Sequence, residues 1–275
     1  MIAETSGSHV PIPARAHFAE IDSTNAEAFR RAEIDPAAGA DRPFWITADA
    51  QTLGRGRGAR GWVSPPGNLY ASLLRRYAID ATGALQLPFV AGVTMYRVLQ
   101  PLLASTLGPD GVNSSDVRLK WPNDVLIDGA KVCGILAESS TLGAPELSAA
   151  PAPGMTTVTV GFGLNVAHHP DIPGKPSTSL QAHGVRETPD AVAAQLAASW
   201  DVVEETWSVG QGFSQILDAW QAAGPAWASP LMVTVGDVTH RGTYAGLDDD
   251  GALLLNVGGS AQRILYGDVM EPDRV

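Results

Sequence analysis

Cysteine is almost absent from this chain. The single Cys133 in 275 residues excludes an intrachain disulfide framework. Positive charge is also scarce, with 18 Lys and Arg against 29 Asp and Glu and a net charge of −11. Such a surface repels backbone phosphates on average, which argues against a nucleic-acid partner unless a local patch binds one. No run reaches the roughly 18 apolar residues that would span a bilayer, so no membrane association is expected. The opening MIAETSGSHVPIPARAHFAE has neither the basic start nor the apolar stretch of a secretory leader. A soluble, reducing, cytoplasmic setting is the simplest expectation. What remains is ample: 45% hydrophobic residues suit one large or two modest domains with a real core.

Residues 1 to about 14 carry Ser, Gly and Pro and read as a loose tail. STNAEAFRRAE then starts a helix. Thr24 and Glu27 stand at capping-box spacing, and Ala28, Phe29 and Ala32 give an apolar face. RPFWITA and NLYASLL read as strands on either side of a glycine-rich loop. QLPFVAGVTMYRVLQPLLAST puts Leu87, Val90, Ala91, Val98 and Leu102 on one helical face, with Pro101 expected to bend its end. VRLKWPNDVLIDGAKVCGILAES reads as two β runs joined by Asp128-Gly129, a strong two-residue hairpin signal. TLGAPELSAAPAPGM reads as a loop. In TTVTVGFGLNV, Val158, Val160, Phe162, Leu164 and Val166 share one face, and Thr157, Thr159, Gly161, Gly163 and Asn165 the other. Thr188-Pro189 caps and starts a long helix, and FSQILDAWQAA starts another. After the GPAWASP connector, short strands with turns at Gly236-Asp237, Asp248 to Gly251 and Gly258-Gly259 predict a small all-β domain.

The loop GRGRGAR gathers charge that the chain otherwise lacks. Its glycines at 54, 56 and 58 can take positive φ and let the backbone approach a ligand. Arg55, Arg57 and Arg60 can hold an oxyanion-rich ligand such as a nucleotide phosphate. No Gly-Lys-Ser/Thr follows, so this is not a Walker A loop. A flexible, solvated Arg-Gly loop is the other reading. Trp62, closing the loop, is either core or a flat lid that stacks on a base.

A two-residue turn at Asp128-Gly129 sets Ile127 opposite Ala130, Leu126 opposite Lys131, Val125 opposite Val132 and Asp124 opposite Cys133. Asp124 and Lys131 then become diagonal neighbours on one face, about 7–8 Å apart between the two strand backbones. Lys120 and Asn123 lie just upstream, and Trp121-Pro122 forces a bend. A lysine beside a carboxylate is most often a surface pair of small worth. Amid apolar neighbours, the same pair suits an amide-forming enzyme that handles an acyl phosphate: a cation for the developing charge and a carboxylate nearby. Glycines in a strand mark either tight packing or a face cleared for a ligand, with Asn165 placed to read it. His168-His169 with Asp171 fits no zinc spacing, and Cys133 reads as a small buried hydrophobe.

Taken in order, STN at 23–25, QTLGRGRGARGW at 51–62, NLYASLL at 68–74, KWPND at 120–124, KVCGIL at 131–136 and GFGLNV at 161–166 resemble the biotin–protein ligases over roughly residues 17–272. The resemblance implies an α+β fold. Its catalytic domain, of the class II aminoacyl-tRNA-synthetase type, has a mixed β-sheet with helices over 15–227, and a small SH3-like β-barrel domain follows over 230–273. It implies that biotin and MgATP give biotinyl-5′-AMP and pyrophosphate, and that the acyl group passes to a lysine of a biotin carboxyl carrier domain. Ser23, Thr24, Asn25 and Gln51 would meet the ureido ring. Gly54, Arg55, Gly56 and Arg57 would hold the biotin carboxylate, the two arginines reaching the ATP phosphates as well. Lys131 would stabilise charge on the acyl phosphate, and Gly134 would line the biotin pocket. Trp62 would cover adenine with Asn165 on its side. Lys120 would assist the phosphates, and Asn123 and Asp124 would lie near the reacting centre and Mg2+. Catalysis would rest on Lys131, Asp124 and Arg57.

The family loop usually reads GRGRxGRxW, and here Ala59 stands at its later glycine and Leu53 where a small residue is common. If Thr24 caps the helix, Ser23 becomes the better ureido contact. About twenty residues precede IDSTN, too few for the DNA-binding domain of bifunctional members, so a monofunctional type is expected, monomeric or weakly dimeric through a sheet edge. The alternatives are a lipoate or octanoate ligase of the same fold, a nucleotide-binding regulator without catalysis, and a nucleic-acid-binding Arg-Gly protein. A lipoyl dithiolane needs fewer polar partners than a ureido ring, and Lys131 with Asp124 speaks against a non-catalytic role.

Overall fold

The computed structural model describes residues 14–106, 116–140 and 154–270. The expected tail before residue 14 and the low-complexity stretch from 141 to 153 lie outside the described residues. The first sheet has seven strands: β1 (Arg15–Ile21), β2 (Phe44–Gln51), β3 (Leu69–Tyr77), β4 (Val117–Lys120), β5 (Asp124–Ile127), β6 (Ala130–Ser139) and β7 (Thr156–Leu164). Their order is β1-β2-β3-β7-β6-β5-β4, parallel only between β1 and β2. β8 (Pro230–Val235), β9 (Val238–Leu247), β10 (Leu253–Val257), β11 (Ser260–Ile264) and β12 (Asp268–Met270) form a second, antiparallel sheet ordered β11-β10-β9-β8-β12. The helices are α1 (Thr24–Ile34), α2 (Ala81–Ala104), α3 (Pro189–Trp207) and α4 (Phe213–Ala222).

The expected alternation in β7 holds. Val158, Val160, Phe162 and Leu164 are buried on the face covered by α2 and α3, where they meet Cys133, Ile135, Leu73, Leu87, Val90 and Leu196. Each fully buried aliphatic or aromatic side chain contributes about 1.5–3 kcal/mol. This back face is therefore the main source of stability, and the front face is spared for other uses. Among the helices of the described residues only α1 packs on the front, through a small cluster that includes Ala28, Ala32, Ile46 and Leu74.

α2 begins at Ala81, earlier than the periodicity suggested, with Asp80 accepting from the Gly83 amide at 3.0 Å. It continues through Pro101 to Ala104. Its 24 residues are long and apolar enough to cross a membrane, but 67% of its most apolar window is buried inside the fold, as a core helix would be.

Three features differ from expectation. Ser23, not Thr24, is the N-cap of α1, its hydroxyl accepting from the Ala26 amide at 3.4 Å. The Thr24 side chain is drawn instead to buried partners on the sheet. The bend expected at Trp121-Pro122 is a full reversal, so β4 and β5 are separate strands paired antiparallel around it. β1 carries too many polar residues to show in periodicity; as an edge strand it has a neighbour on one side only.

The hairpin turn forms as expected, with positive φ at Asp128 (52°) and Gly129 (81°). The pairing beyond it shifts by one between Val125 and Leu126. Ile127 opposes Ala130 and Leu126 opposes Lys131, but Val125 then opposes Cys133 and Asp124 opposes Gly134. The extra residue is Val132, which joins Cys133 in the core. The hydrophobic core also runs without a break into the second sheet, through Leu231, Val233, Tyr244, Leu253 and Leu255. Gly251, at φ +84°, lies against Phe89, and its carbonyl accepts from Trp121 Nε1 at 3.0 Å.

Candidate functional site

The front face of β6 and β7 is floored by glycine. Gly134 pairs with Gly163, and Leu136 with Gly161. The space above this floor is filled by the protein's own side chains rather than left open. A Cβ on Gly161 would overlap Asn25 Oδ1. One on Gly163 would lie 2.6 Å from Trp62 Cε2 and Nε1, and one on Gly134 3.0 Å from Trp62 Cζ3. The indole of Trp62 thus lies across both glycines, only half-buried. Its Nε1 is shielded from solvent and has no hydrogen-bond partner among the described residues.

The arginine loop closes over this floor as a tight hairpin. Arg55 pairs with Gly61, the Gly56 amide donates to Arg60 O at 2.7 Å, and the Trp62 amide donates to Gly54 O at 2.8 Å. Of the three leading glycines only Gly58 uses positive φ (62°). Gly54 is required for room instead, since a Cβ would meet Trp62 O at 2.5 Å and Ser64 Oγ at 2.6 Å.

Each arginine has a distinct anchor. Arg55 Nη2 lies 3.4 Å from Glu138 Oε2. Arg57 donates to Asn123 Oδ1 at 2.9 Å and to the Gly267 carbonyl at 3.1 Å. Arg60 makes a two-pronged pair with Asp268 at 3.0 and 3.2 Å. Burial pushes the Asp268 carboxyl up, but hydrogen bonds from Arg60 and the charges of Arg60, Arg57 and Lys120 outweigh it and hold it below its ordinary value. Burial lowers the Arg57 pKa, and the guanidinium remains charged throughout the working range.

Lys131 and Asp124 meet on the front face, Nζ to Oδ1 at 2.6 Å. The shifted register makes this possible. With Asp124 opposite Cys133, both residues would turn toward the helix-covered face, where Cys133 and Ile135 are buried. The bulge instead sets Asp124 beside Gly134 and lets Lys131 lie over it, Nζ coming 3.2 Å from where a Gly134 Cβ would stand. Lys131 Nζ also sits 5.2 Å from the centre of the Trp62 ring, a cation–π contact. Asn123 ties the KWPND turn to β6 by donating to Ile135 O at 2.6 Å and accepting from the Ile135 amide through its carbonyl at 2.9 Å.

Beside Trp62 lies a buried polar network. Gln51 Oε1 accepts from the Thr24 amide at 2.9 Å and from Thr24 Oγ1 at 3.1 Å, and Gln51 Nε2 donates to Ser64 Oγ at 3.1 Å. Ser72 Oγ lies 2.7 Å from Thr24 Oγ1 and 2.6 Å from Asn25 Oδ1. Asn25 Nδ2 donates to Leu136 O at 3.2 Å and Glu138 Oε2 at 2.8 Å. Asn165 is buried, and its Nδ2 donates to Thr178 O at 2.9 Å, pinning the segment after β7.

The structure thus gathers Thr24, Asn25, Gln51, Arg55, Arg57, Trp62, Asn123, Asp124 and Lys131 around the glycine floor. The Ser23 hydroxyl is turned to its cap, and Asn165 is packed behind the loop it holds. Sequence reasoning missed Ser72, Asn68, Glu138 and Asp268. Asn68 Oδ1 accepts from the amides of Val166, Ala167 and His168 at 2.9–3.0 Å, while its Nδ2 donates to His168 O at 2.9 Å. The alternation of NLYASLL carried the signal for Ser72, a small polar residue on the front face. Asp268 stands in the GDV run at 267–269, but no local pattern gave it a role. Cys133 is fully buried beneath the site and burial raises its thiol pKa, so it is inert there.

The mixed sheet carries a glycine-floored front, an arginine loop over it and a lysine–carboxylate pair, and the chain resembles known proteins in both sequence and fold. The chain matches the biotin/lipoate A/B protein ligase family over residues 18–147. It is 37% identical over 247 residues to a biotin--[acetyl-CoA-carboxylase] ligase of Paracoccus denitrificans, covering 86% of this chain and 92% of that one. To the enzyme of the same description from Mycobacterium tuberculosis it is 32% identical over 260 residues, covering 92% and 86%. The biotin protein ligase of Aquifex aeolicus, solved with biotin and ATP, superposes with a TM-score of 0.71 at 24% identity, covering 94% of this chain and 99% of that one. That likeness is one of fold. On the strength of the two sequence relatives, the chain belongs to the biotin–protein ligases.

Proposed function

We propose that this protein is an ATP-dependent biotin–protein ligase whose chemistry is centred on Lys131. A biotin carboxylate oxygen attacks the α-phosphorus of ATP, the bond to pyrophosphate breaks, and biotinyl-5′-AMP forms. An amine from the carrier lysine then attacks the acyl carbon, AMP leaves, and the amine's proton passes to a nearby base. The observation that carries this reading is Lys131 Nζ at 2.6 Å from Asp124 and 5.2 Å from the Trp62 ring centre, over Gly134 and next to the loop that carries Arg55 and Arg57. A fixed cation beside a developing phosphoryl charge is worth most where water is excluded.

In this reading Lys131 neutralises the acyl phosphate in both steps. Asp124 holds Lys131 in place and offers a carboxylate to the incoming amine. Arg55 and Arg57 take the biotin carboxylate and the phosphates, with Gly54 and Gly56 shaping the loop around them and Lys120 assisting. Thr24, Asn25 and Gln51 read the ureido ring, Ser23 supports them by capping the start of α1, and Gly134 gives the ring clearance. Trp62 moves from the floor to cover adenine, while Asn165 and Asn68 fix the loop on the adenine side. Mg2+ would arrive on the triphosphate. Among the described residues no group of three His, Cys, Asp or Glu forms a cage, and an ion carried by phosphates needs only one or two carboxylates, a need Asp124 can meet together with Asn123.

We further take 15–227 as the catalytic unit, 230–273 as the β domain, a biotin carboxyl carrier domain as the protein substrate and the cytoplasm as its location, with no nucleic-acid partner. Incubation with ATP and biotin should release pyrophosphate only when biotin is present, and adding a carrier domain should yield labelled carrier. Pyrophosphate release indifferent to biotin, or equal with lipoate, would overturn the assignment.

A further inference from the structure

Glu138 is a residue that neither the motifs nor the reaction scheme above employs. It lies on β6 at the same alternation as Gly134 and Leu136, so it faces the site. One carboxylate oxygen accepts from Asn25 Nδ2 at 2.8 Å, and both oxygens stand 3.4–3.5 Å from Arg55 Nη2. The first contact is a good charge-assisted bond. The second is long for one, since such bonds run about 2.7–2.9 Å. Asn25 uses both donors on β6, to Leu136 O and Glu138, so its amide nitrogen must point there. Its oxygen faces away, taken by Ser72 at 2.6 Å and only loosely by Thr159 at 3.5 Å.

We propose that Glu138 is a positioning residue with two tasks: it fixes the Asn25 amide so that an acceptor oxygen meets a ligand N–H, and it parks Arg55 at the edge of the site until a substrate carboxylate takes that guanidinium over. The loose Arg55 contact suits a tie that must be exchanged, and the tight Asn25 contact one that must persist. The first task would make the pocket select for a ring bearing N–H donors, which the ureido group has and a dithiolane lacks. This deepens the biotin reading and rests on it for the identity of the ligand.

Three variants separate the tasks. Glu138→Gln keeps an acceptor for Asn25 but removes the charge that parks Arg55. Glu138→Ala removes both, and Glu138→Asp keeps the charge but is too short to reach Asn25. Trypsin cleavage at the loop arginines of the unliganded protein should be about threefold faster in Glu138→Gln, the scale of a partly exposed ion pair. Biotin plus ATP should erase that difference. In Glu138→Ala, KM for biotin should rise about tenfold while kcat changes far less, the scale of a misdirected buried amide. If Glu138→Ala does not fold, Glu138→Asp carries the KM arm. Unchanged cleavage in Glu138→Gln, or a fall in kcat without a rise in KM, overturns the proposal. The cleavage arm is read first without ligand, so it stands apart from the biotin reading, which fails separately if wild type shows no biotin-dependent pyrophosphate release.

Discussion

Gly163→Ala should act almost entirely through Trp62. The new Cβ would lie 2.6 Å from Trp62 Cε2 and Nε1 and 2.9 Å from Cζ2. Carbon contacts settle at about 3.5–4.0 Å, so the ring has to retreat by roughly 1 Å. The strand cannot yield instead, because Gly163 is paired on both sides, with Tyr70 in β3 and Gly134 in β6. Nor can the loop slide freely, since Trp62 is held at its amide by Gly54 O at 2.8 Å and at its carbonyl by Ser64 Oγ at 3.0 Å. Overpacking of this kind costs about 1–3 kcal/mol. Urea unfolding of wild type, Gly163→Ala, Trp62→Ala and the double variant gives the cycle. The glycine substitution should destabilise by about 1–3 kcal/mol alone and by well under 1 kcal/mol once the indole is gone, a coupling of about 1–2 kcal/mol. In the adenylation assay KM for ATP should rise about tenfold in the single variant, the rate equivalent of 1.4 kcal/mol. Additive stabilities within about 0.5 kcal/mol would mean that the ring does not rest on Gly163, and the description of the floor would be wrong.

Lys131→Ala should cut biotin-dependent pyrophosphate release by at least about a hundredfold, the scale of losing one charge-stabilising group; an unchanged rate would show that the lysine is misassigned. Asp268→Asn should loosen the loop and increase escape of the acyl-adenylate, measured as labelled intermediate free in solution. The folded Asp268 carboxyl lies below its ordinary 3.8, so the Arg60 clasp is fully present above that pH and is lost only as pH falls through the lowered value. Escape from wild type should accordingly be flat between pH 6 and 8, as far as this carboxyl governs it. Tyr244 has a buried hydroxyl without a partner among the described residues, and burial pushes its pKa up to about 12. Tyr244→Phe should raise stability by up to about 1 kcal/mol. Since the unfolded tyrosine ionises near 10 and the folded one only near 12, wild type binds more protons folded than unfolded in that window, and stability falls as pH rises through it. The phenylalanine variant should flatten that fall in thermal melts.

Most of the fold was legible because the back face obeys simple periodicity. β7 alternates cleanly since α2 and α3 cover one side of it, and Thr188-Pro189 announces α3 through a local cap. β1 was illegible for the opposite reason: an edge strand with little to bury keeps polar residues on both faces. The start of α1 shows a different limit. Ser23 and Thr24 are chemically near-equivalent caps, and the choice between them is made by Gln51 and Ser72, which lie 27 and 48 residues away from Thr24. Asp268 sits in a recognisable GDV run, but its role could not be read locally, because it comes from Arg60, 208 residues earlier.

The glycine strand and the hairpin carry the sharpest lesson. Gly161 and Gly163 do mark a cleared face, but in this structure the clearance is taken by Asn25 and Trp62. A ligand that needs the Trp62 space therefore competes with the indole, which links binding to loop movement. Lys131 depends on a feature that alternation cannot express. Residues 131, 133 and 135 would share one face of a regular strand, and Cys133 and Ile135 are buried in the core. A lysine on that face would have to be buried without water, at a cost of several kcal/mol. Placing Val132 and Lys131 together opposite Leu126 removes the conflict: the valine goes into the core, and the lysine emerges over Gly134 within 2.6 Å of Asp124. The two-residue turn fixed where the hairpin begins, but burial of Val132 decides which face Lys131 reaches, and with it whether the cation and the carboxylate stand in the site at all.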